Sequence, residues 1–443
     1  MKRLFAEHAY SDDRIERCFW AEEVPNKLLR RPPLSGPHKT EVAIIGSGFT
    51  GLSAAFELAR NGVSVTVLDS KFPGWGASGR NGGFCCLGGS KLDDAQMDRA
   101  FGKPERLLWR QTEKRAIEHV AKFLKCQEIE ADTHSIGETI LAHTASRAGF
   151  KNVAASVQEN YGLAARVMAK DELRHQGLDG PFHGAMTIPS GFGLHPRKYL
   201  LGLLRAAESE GALVVGDAPV TGFQKIAGGY QLECGTIPVE CDRVILATNG
   251  YSSDDLPDWM AGRYLPAQSS VIVTRPLEKH EREAAGWTSR QMAYDTRNLL
   301  HYFRLMPDNR FLFGMRGGLR STPRSDQGIQ RAIRRDFEKM FPAWRDVETP
   351  YYWSGMVCLA PALTPFCAPV EDMPGVFAAF GYHGNGVAMG SYCGVQVAQI
   401  LLGRNSEHQM PAFLKKPPKR FPLGRFRKAL LWPAYAMAGI ADR

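Results

Sequence analysis

The 443 residues include 44% hydrophobic and 23% charged side chains, with a formal net charge of +9. This balance excludes a disordered chain, no run reaches the roughly eighteen apolar residues of a membrane-spanning helix, and the length suits about two or three domains. The nine cysteines form no CxxC and no Cys/His cluster at zinc spacing, so free thiols in a reducing, cytoplasmic setting and no metal are expected.

Residues 1–38 read as a Pro-punctuated arm that packs on the surface of the body. Met1 to Trp20 are polar and mixed in charge, without the apolar core of a secretion signal. From Glu41 the pattern changes. An apolar, β-branched run, Val42-Ala43-Ile44-Ile45, meets Gly46-Ser47-Gly48-Phe49-Thr50-Gly51. An Ala/Leu-rich helical segment follows, then a second apolar strand ending in Asp69. This is the β-α-β unit that binds a dinucleotide. Gly46 permits the tight turn, Gly48 lets a pyrophosphate approach the backbone, and Gly51 lets the helix lie close to the sheet. The helix start offers N–H groups to phosphates, and Asp69 can accept from ribose hydroxyls. Read alone, the unit suits NAD as well as FAD.

Gly76-Ala77-Ser78-Gly79-Arg80-Asn81-Gly82-Gly83 comes next, too glycine-dense for regular structure. Such backbone can run against a flat ligand. Arg80 can meet a phosphate, and Ser78 and Asn81 can bond ring or ribitol oxygens. Helical spacing is expected over 96–126, 147–168 and 196–211, with a strand at Thr139 to Ala142 and a hairpin around Gly235. The buried strand ending in Ala247-Thr248-Asn249-Gly250 is the second informative turn.

Residues 264–320 are strand-rich. In His301-Tyr302-Phe303-Arg304, alternation puts His301 and Phe303 on one face and Tyr302 and Arg304 on the other. An amphipathic helix is expected over 325–341. The strand Val376 to Phe380 then leads into Gly381-Tyr382-His383-Gly384-Asn385-Gly386-Val387 and a helix to about Leu402. This late turn lacks the further strand and acid of a second dinucleotide site, but its helix start can stabilise negative charge. From Lys415 the tail is basic, then apolar. It is too short to span a bilayer; docking on the body is the expectation and peripheral membrane contact the alternative.

These motifs together resemble the D-amino-acid oxidase, glycine oxidase and sarcosine oxidase family of FAD proteins. The loop from Gly76 and the segments His301 to Arg304 and Phe311 to Gly314 look most like the γ-glutamylputrescine oxidase-like branch. The resemblance implies an α/β (α+β overall) fold: a discontinuous Rossmann-like FAD-binding domain (39–100, 186–258 and 350–412) and an antiparallel-sheet substrate domain (101–185 and 259–349). The arm at 1–38 and the tail at 413–443 flank them. It further implies FAD contacts from residues 46–51, Asp69, Ser70, residues 76–83, Val220, residues 247–250, Gly381, Gly384, Asn385, Gly386 and Val387. Several relatives carry Ser-Gly-His-Gly at the late turn. Here His383 is displaced, so no histidine role or covalent flavin link carries over.

The implied reaction is hydride transfer from the carbon of a neutral amine or amino acid to flavin N5. The imine is then hydrolysed, and oxygen reoxidises the flavin to give hydrogen peroxide. Two alternatives stand beside it: a dehydrogenase delivering electrons to a quinone or protein at a membrane, and a non-catalytic FAD-binding subunit. Neither involves nucleic acid. Arg304 is the expected carboxylate clamp, with Arg316 also a substrate-contact candidate. Trp353 and Tyr382 are the expected aromatic wall, Tyr302 a substrate contact, and His383 a group that tunes substrate protonation.

Overall fold

The computed structural model describes residues 1–404 and 409–442. Residues 405–408, within the expected 350–412 segment, and residue 443, at the end of the tail, lie outside the described residues.

Two eight-stranded sheets organise the chain. In the first, the strand His38–Ile45 pairs in parallel with Val65–Leu68 on one side and with Ile237–Leu246 on the other. Leu213–Val215 and Val376–Phe380 extend the parallel set, Phe366–Pro369 forms an antiparallel edge, and the hairpin Val220–Ile226/Gly229–Cys234 hangs from Ile237–Leu246. Val42, Ala43 and Ile44 are all buried, as continuous apolar runs require when both faces of a parallel sheet are covered. The helix Phe49–Ala59 follows the first strand and packs on the helix Ala388–Leu401. A Cβ at Gly394 would lie 2.3 Å from the Thr50 carbonyl oxygen, so these helices touch backbone to backbone.

The second sheet runs Tyr351–Leu359, Leu265–Val273, Phe311–Arg316, His301–Leu305, Met292–Asp295, Glu138–Leu141, Gly184–Ile188, Arg166–Ala169. It is antiparallel except where Met292–Asp295 and Glu138–Leu141 pair in parallel. Its two faces differ sharply. Phe303, Phe311 and Phe313 pack with Trp287, Phe337, Phe341 and Trp344 into an aromatic core under the helix Pro323–Met340. The other face turns toward the first sheet's glycine turns. The registers Glu138↔Met292, Tyr294↔Tyr302, Tyr302↔Gly314, Gly314↔Val271 and Ser269↔Arg316 place those side chains together on it.

Several sequence expectations are corrected. The helix expected over 96–126 is two, Asp94–Phe101 and Lys103–Cys126, because Gly102 takes φ +88° and Pro104 follows in the first turn of the second. The pattern at 147–168 is a helix, Phe150–Tyr161, ended by left-handed Gly162, and then a strand, Arg166–Ala169. Lys103–Cys126, expected with the substrate domain, packs on Ala388–Leu401 and meets Phe56 through Phe123 at 5.2 Å. Tyr351–Leu359, expected with the FAD-binding segments, pairs along Leu265–Val273 in the second sheet. Periodicity identifies a helix or strand but not the sheet it joins.

The arm is not a surface strap either. Phe5, Tyr10, Ile15, Phe19, Trp20 and Leu29 enter the main core. The buried Arg14 guanidinium donates from Nε to Ser354 Oγ at 2.6 Å and pairs with Asp326 at 3.3 Å.

Gly51 is the tightest point of the first β-α-β unit. A Cβ there would lie 1.9 Å from the Gly46 carbonyl oxygen, a backbone atom that cannot rotate away. Gly51→Ala is therefore expected to cost about 2 kcal/mol through overpacking, read as a lower melting temperature, whereas Gly328→Ala, exposed in the helix Pro323–Met340 with open space around it, does not lower it.

Candidate active site

The glycine turns of the first sheet and the inner face of the second enclose a cleft of about 410 Å³. At one end Gly46 takes φ +104°, and a Cβ on it would lie 2.8 Å from the Ala247 carbonyl oxygen, so the two informative turns touch. Asp69 closes the same corner. Its Oδ2 accepts from the Ser47 amide at 3.0 Å and the Ser47 hydroxyl at 2.5 Å, and its Oδ1 accepts from the Lys71 amide at 2.9 Å. Burial pushes its pKa up, and these bonds oppose the shift. Asn249, at φ +45°, accepts on Oδ1 from the Gly381 amide at 3.0 Å and so ties the second turn to the late one.

The loop 76–83 folds over the helix start. Ser78 Oγ accepts from the Phe49 amide at 2.9 Å, and a Cβ on Gly48 would lie 2.8 Å from that oxygen. Asn81 braces the loop by donating from Nδ2 to Ser78 O at 2.9 Å and accepting on Oδ1 from the Gly83 amide at 2.8 Å. The arm reaches here too, since Trp20 Nε1 donates to Asn81 O at 2.9 Å. Arg80 departs from expectation. Its guanidinium donates to the carbonyls of Trp75 (2.8 Å from Nε) and Ser354 (3.0 Å from Nη1) and lies over the Trp75 ring at 4.6 Å. It is therefore held by the protein and is not presented to a phosphate.

Among the expected cofactor contacts, Gly46, Ser47, Gly48, Phe49, Thr50, Asp69, Ser70, Gly76, Ala77, Ser78, Arg80, Asn81, Gly82, Val220, Ala247, Thr248, Asn249, Gly384, Asn385, Gly386 and Val387 line the cleft. Gly51, Gly79, Gly83, Gly250 and Gly381 stand behind this lining and shape the turns.

The five expected substrate residues divide. Tyr302 and Tyr382 line the cleft. Tyr302 Oη bonds Ser269 Oγ at 3.0 Å, and its ring occupies the space a Cβ on Gly314 would need. Tyr382 Oη bonds Thr50 Oγ1 at 2.9 Å. Arg304, Trp353 and His383 lie outside the lining. Arg304 is 1% exposed. It donates to Leu194 O at 2.8 Å and meets His134 Nε2 at 3.1 Å, beside a separate small cavity. Trp353 Nε1 donates to Arg80 O at 2.7 Å. His383 Nε2 accepts from the Ala360 amide at 3.1 Å, which leaves Nδ1 to donate to Gly89 O at 2.8 Å. Burial lowers its pKa to about 4, so it is a neutral structural histidine. The displaced His383 braces the turn from behind.

Arg316 faces the cleft. Its Nη2 donates to His383 O at 3.1 Å, and no carboxylate among the described residues pairs with it. Lys91 stands at the rim, where the Arg316 charge and then burial push its pKa down. Across the same face lie Tyr294 and Glu138, which the sequence reading missed. Glu138 is 1% exposed, its Oε2 has no hydrogen-bond partner, and burial raises its pKa to about 8. A signal for it existed: Glu138 opens the strand on the face of Ile140, where an acid is costly unless it serves a site.

Of the first-turn amides of Phe49–Ala59, that of Phe49 is taken by Ser78 Oγ, while those of Thr50 and Gly51 have no carbonyl partner four residues back, and the glycine cradle admits backbone contact. These features fit the pyrophosphate of a dinucleotide, and the cleft gives room for the remainder.

Comparison with known proteins agrees. The family model described as "FAD dependent oxidoreductase" (DAO) matches residues 41–400. The chain is 32% identical over 421 residues to the probable oxidoreductase OrdL of Rhizobium meliloti, covering 93% of this chain and 94% of that one. It is 26% identical over 400 residues to γ-glutamylputrescine oxidoreductase of Escherichia coli, covering 90% and 92%. The crystal structure of glycine oxidase from Geobacillus kaustophilus superposes with a TM-score of 0.69 at 19% identity, covering 85% of this chain and 98% of that one. With its fold, its glycine cradle and the extent of these matches, the chain belongs to the DAO family and is an FAD-dependent oxidoreductase.

Proposed function

We propose that the protein oxidises the C–N bond of a small amine that also carries a carboxylate, with oxygen as electron acceptor and hydrogen peroxide as product. One observation carries this reading: an unpaired arginine, Arg316, and a buried carboxyl with a free oxygen, Glu138, line one cleft from a single sheet face. A cation and an acid on one wall suit a ligand with both poles. The names of the γ-glutamylputrescine oxidoreductase and glycine oxidase relatives agree with an amine or amino-acid substrate.

FAD, when bound, supplies a two-electron acceptor for the hydride that leaves the substrate carbon. Residues 46–50, Asp69, Ser78 and the turn 384–387 would hold it. Arg316 receives the substrate carboxylate through paired N–H donors. Glu138 takes the ammonium pole and, as carboxylate, accepts one proton from it, which leaves the nitrogen lone pair free to form the C=N bond as the hydride departs. Water then adds to the C=N bond and releases the amine as a carbonyl forms. Tyr302 and Tyr382, anchored by Ser269 and Thr50, wall the reacting carbon from solvent. Oxygen takes up the two electrons and two protons.

A second reading, a dehydrogenase delivering electrons to a membrane quinone, is favoured by the exposed apolar helix at the C-terminal end. Family membership sets aside the non-catalytic reading.

The class is tested by the anaerobic loss of flavin absorbance across amines with and without a carboxylate. Bleaching by carboxylated amines, with peroxide formed once air is admitted, is the expected result. Bleaching without peroxide selects the quinone reading. Arg316→Met is expected to raise KM for carboxylated amines roughly thirtyfold, a loss of about 2 kcal/mol, with a smaller effect on amines lacking the carboxylate. An unchanged KM removes Arg316 from the substrate.

For Glu138, kcat/KM is expected to rise with pH through about 8 as the carboxyl ionises, and Glu138→Gln flattens that limb. Stability follows the opposite sign. Between the ordinary glutamate pKa of 4.5 and about 8 the folded state keeps a proton that the unfolded state releases, so Glu138 makes stability fall as pH rises across that window. Melting curves of Glu138→Gln should lack this component.

A further inference from the structure

The helix Leu431–Ala441 contains no charged residue and buries only Leu431. Trp432 is 53% exposed, Met437 65% and Ile440 69%, and just ahead of them Phe426 and Leu423 are 63% and 57% exposed. Of the twelve large hydrophobic side chains exposed among the described residues, these five fall within eighteen positions, so they form a concentrated surface and not a scatter of single residues.

The helix is nonetheless held in place at both ends. Before it, the fully buried Arg427 donates to both oxygens of Asp254, at 2.8 and 2.6 Å, and from Nε to Tyr264 O at 2.7 Å. After it, Asp442 accepts from the amides of Asn298 and Leu299, at 2.7 and 3.1 Å. An apolar helix pinned in an exposed position does not need to be ordered by whatever covers it.

The charge on the segment that leads into it has one sign, and the acid that follows it, Asp442, is taken by backbone amides. From 409 to 441 the sequence has no Asp or Glu, and Lys415, Lys416, Lys419, Arg420 and Arg425 are exposed. A second copy of the chain would bring this basic, apolar surface against itself, with like charges opposed. A helix of eleven residues is also too short to cross a bilayer. We propose that residues 415–441 dock the protein on the surface of an anionic lipid bilayer, with Trp432, Met437 and Ile440 entering the headgroup region and the basic residues facing the lipid phosphates and carboxylates.

The test uses the holoenzyme with sedimenting vesicles of phosphatidylcholine alone, or with phosphatidylserine added at roughly 70:30. Binding to the mixed vesicles, reduced at least about tenfold on neutral ones and weakened by salt, is expected. Trp432→Glu/Met437→Glu/Ile440→Glu should lose binding while keeping the wild-type flavin spectrum and melting temperature. Lys415→Glu/Lys416→Glu/Lys419→Glu, which leaves the apolar helix unchanged, should lose the preference for the anionic vesicles. No sedimentation with either vesicle overturns the proposal. So does a wild-type dimer in solution that the first triple variant converts to monomer, since a second copy would then be the occupant. Equal binding to both vesicles overturns the assignment to an anionic surface.

Discussion

The close approach of Gly51 to the carbonyl of Gly46, which leaves no room for a Cβ, fixes the geometry from which the cleft is built. With the helix Phe49–Ala59 seated this low on its strand, its start at Gly48, Phe49 and Thr50 lines the cleft. Its far side is then close enough for Gly394 of the late helix to touch the Thr50 carbonyl. Each contact depends on the one before it. Gly46 meets Ala247, Asn249 of that second turn holds Gly381, and the late turn so placed presents Asn385 and Val387 to the cleft. Three turns far apart in sequence thus behave as one rigid corner, closed by the Asp69 bonds to Ser47 and Lys71.

The second sheet meets a different constraint. It must be a hydrophobic layer on one side and a selective polar wall on the other, and strand alternation makes this possible within single strands. Phe303 and Phe313, paired with each other, supply the aromatic core, while Tyr302 in the next pair faces the cleft over Gly314. The same alternation carries Glu138, Tyr294, Ser269 and Arg316 to one side without further loops. The polar side chains that line the cleft are mounted here on paired strands, whose positions are more sharply defined than those of a mobile loop.

The nucleotide end was legible because its demands are local. Gly46, Gly48, Gly51 and Asp69 are each required by backbone geometry or by a single contact, so their spacing carries the information. The alternation of Tyr302 and Arg304 was also legible, but its meaning was not. Both residues share the inner face, yet Arg304 lies further along the strand, against Leu194 O and His134, whereas Arg316 on the neighbouring strand reaches the cleft. Which arginine meets a ligand depends on where strands end and what the loops cover, and no short window of sequence contains that. His383 was misjudged for a related reason: two backbone partners, Ala360 and Gly89, lie on segments remote from it. Glu138 was missed because its neighbour Met292 lies on a strand that joins from much later in the chain.

The arm has a consequence for how the molecule is made. Arg14 is 340 positions from Ser354, and His8 is 318 from Asp326. Translation at about 5–20 residues per second separates these partners by tens of seconds. During that time Phe19 and Trp20 lack Tyr351 and Trp353, the rings they pack against, so the arm settles long after it is made. Completion of the loop brace at Asn81 therefore follows the strand Tyr351–Leu359 and not the early appearance of the β-α-β unit.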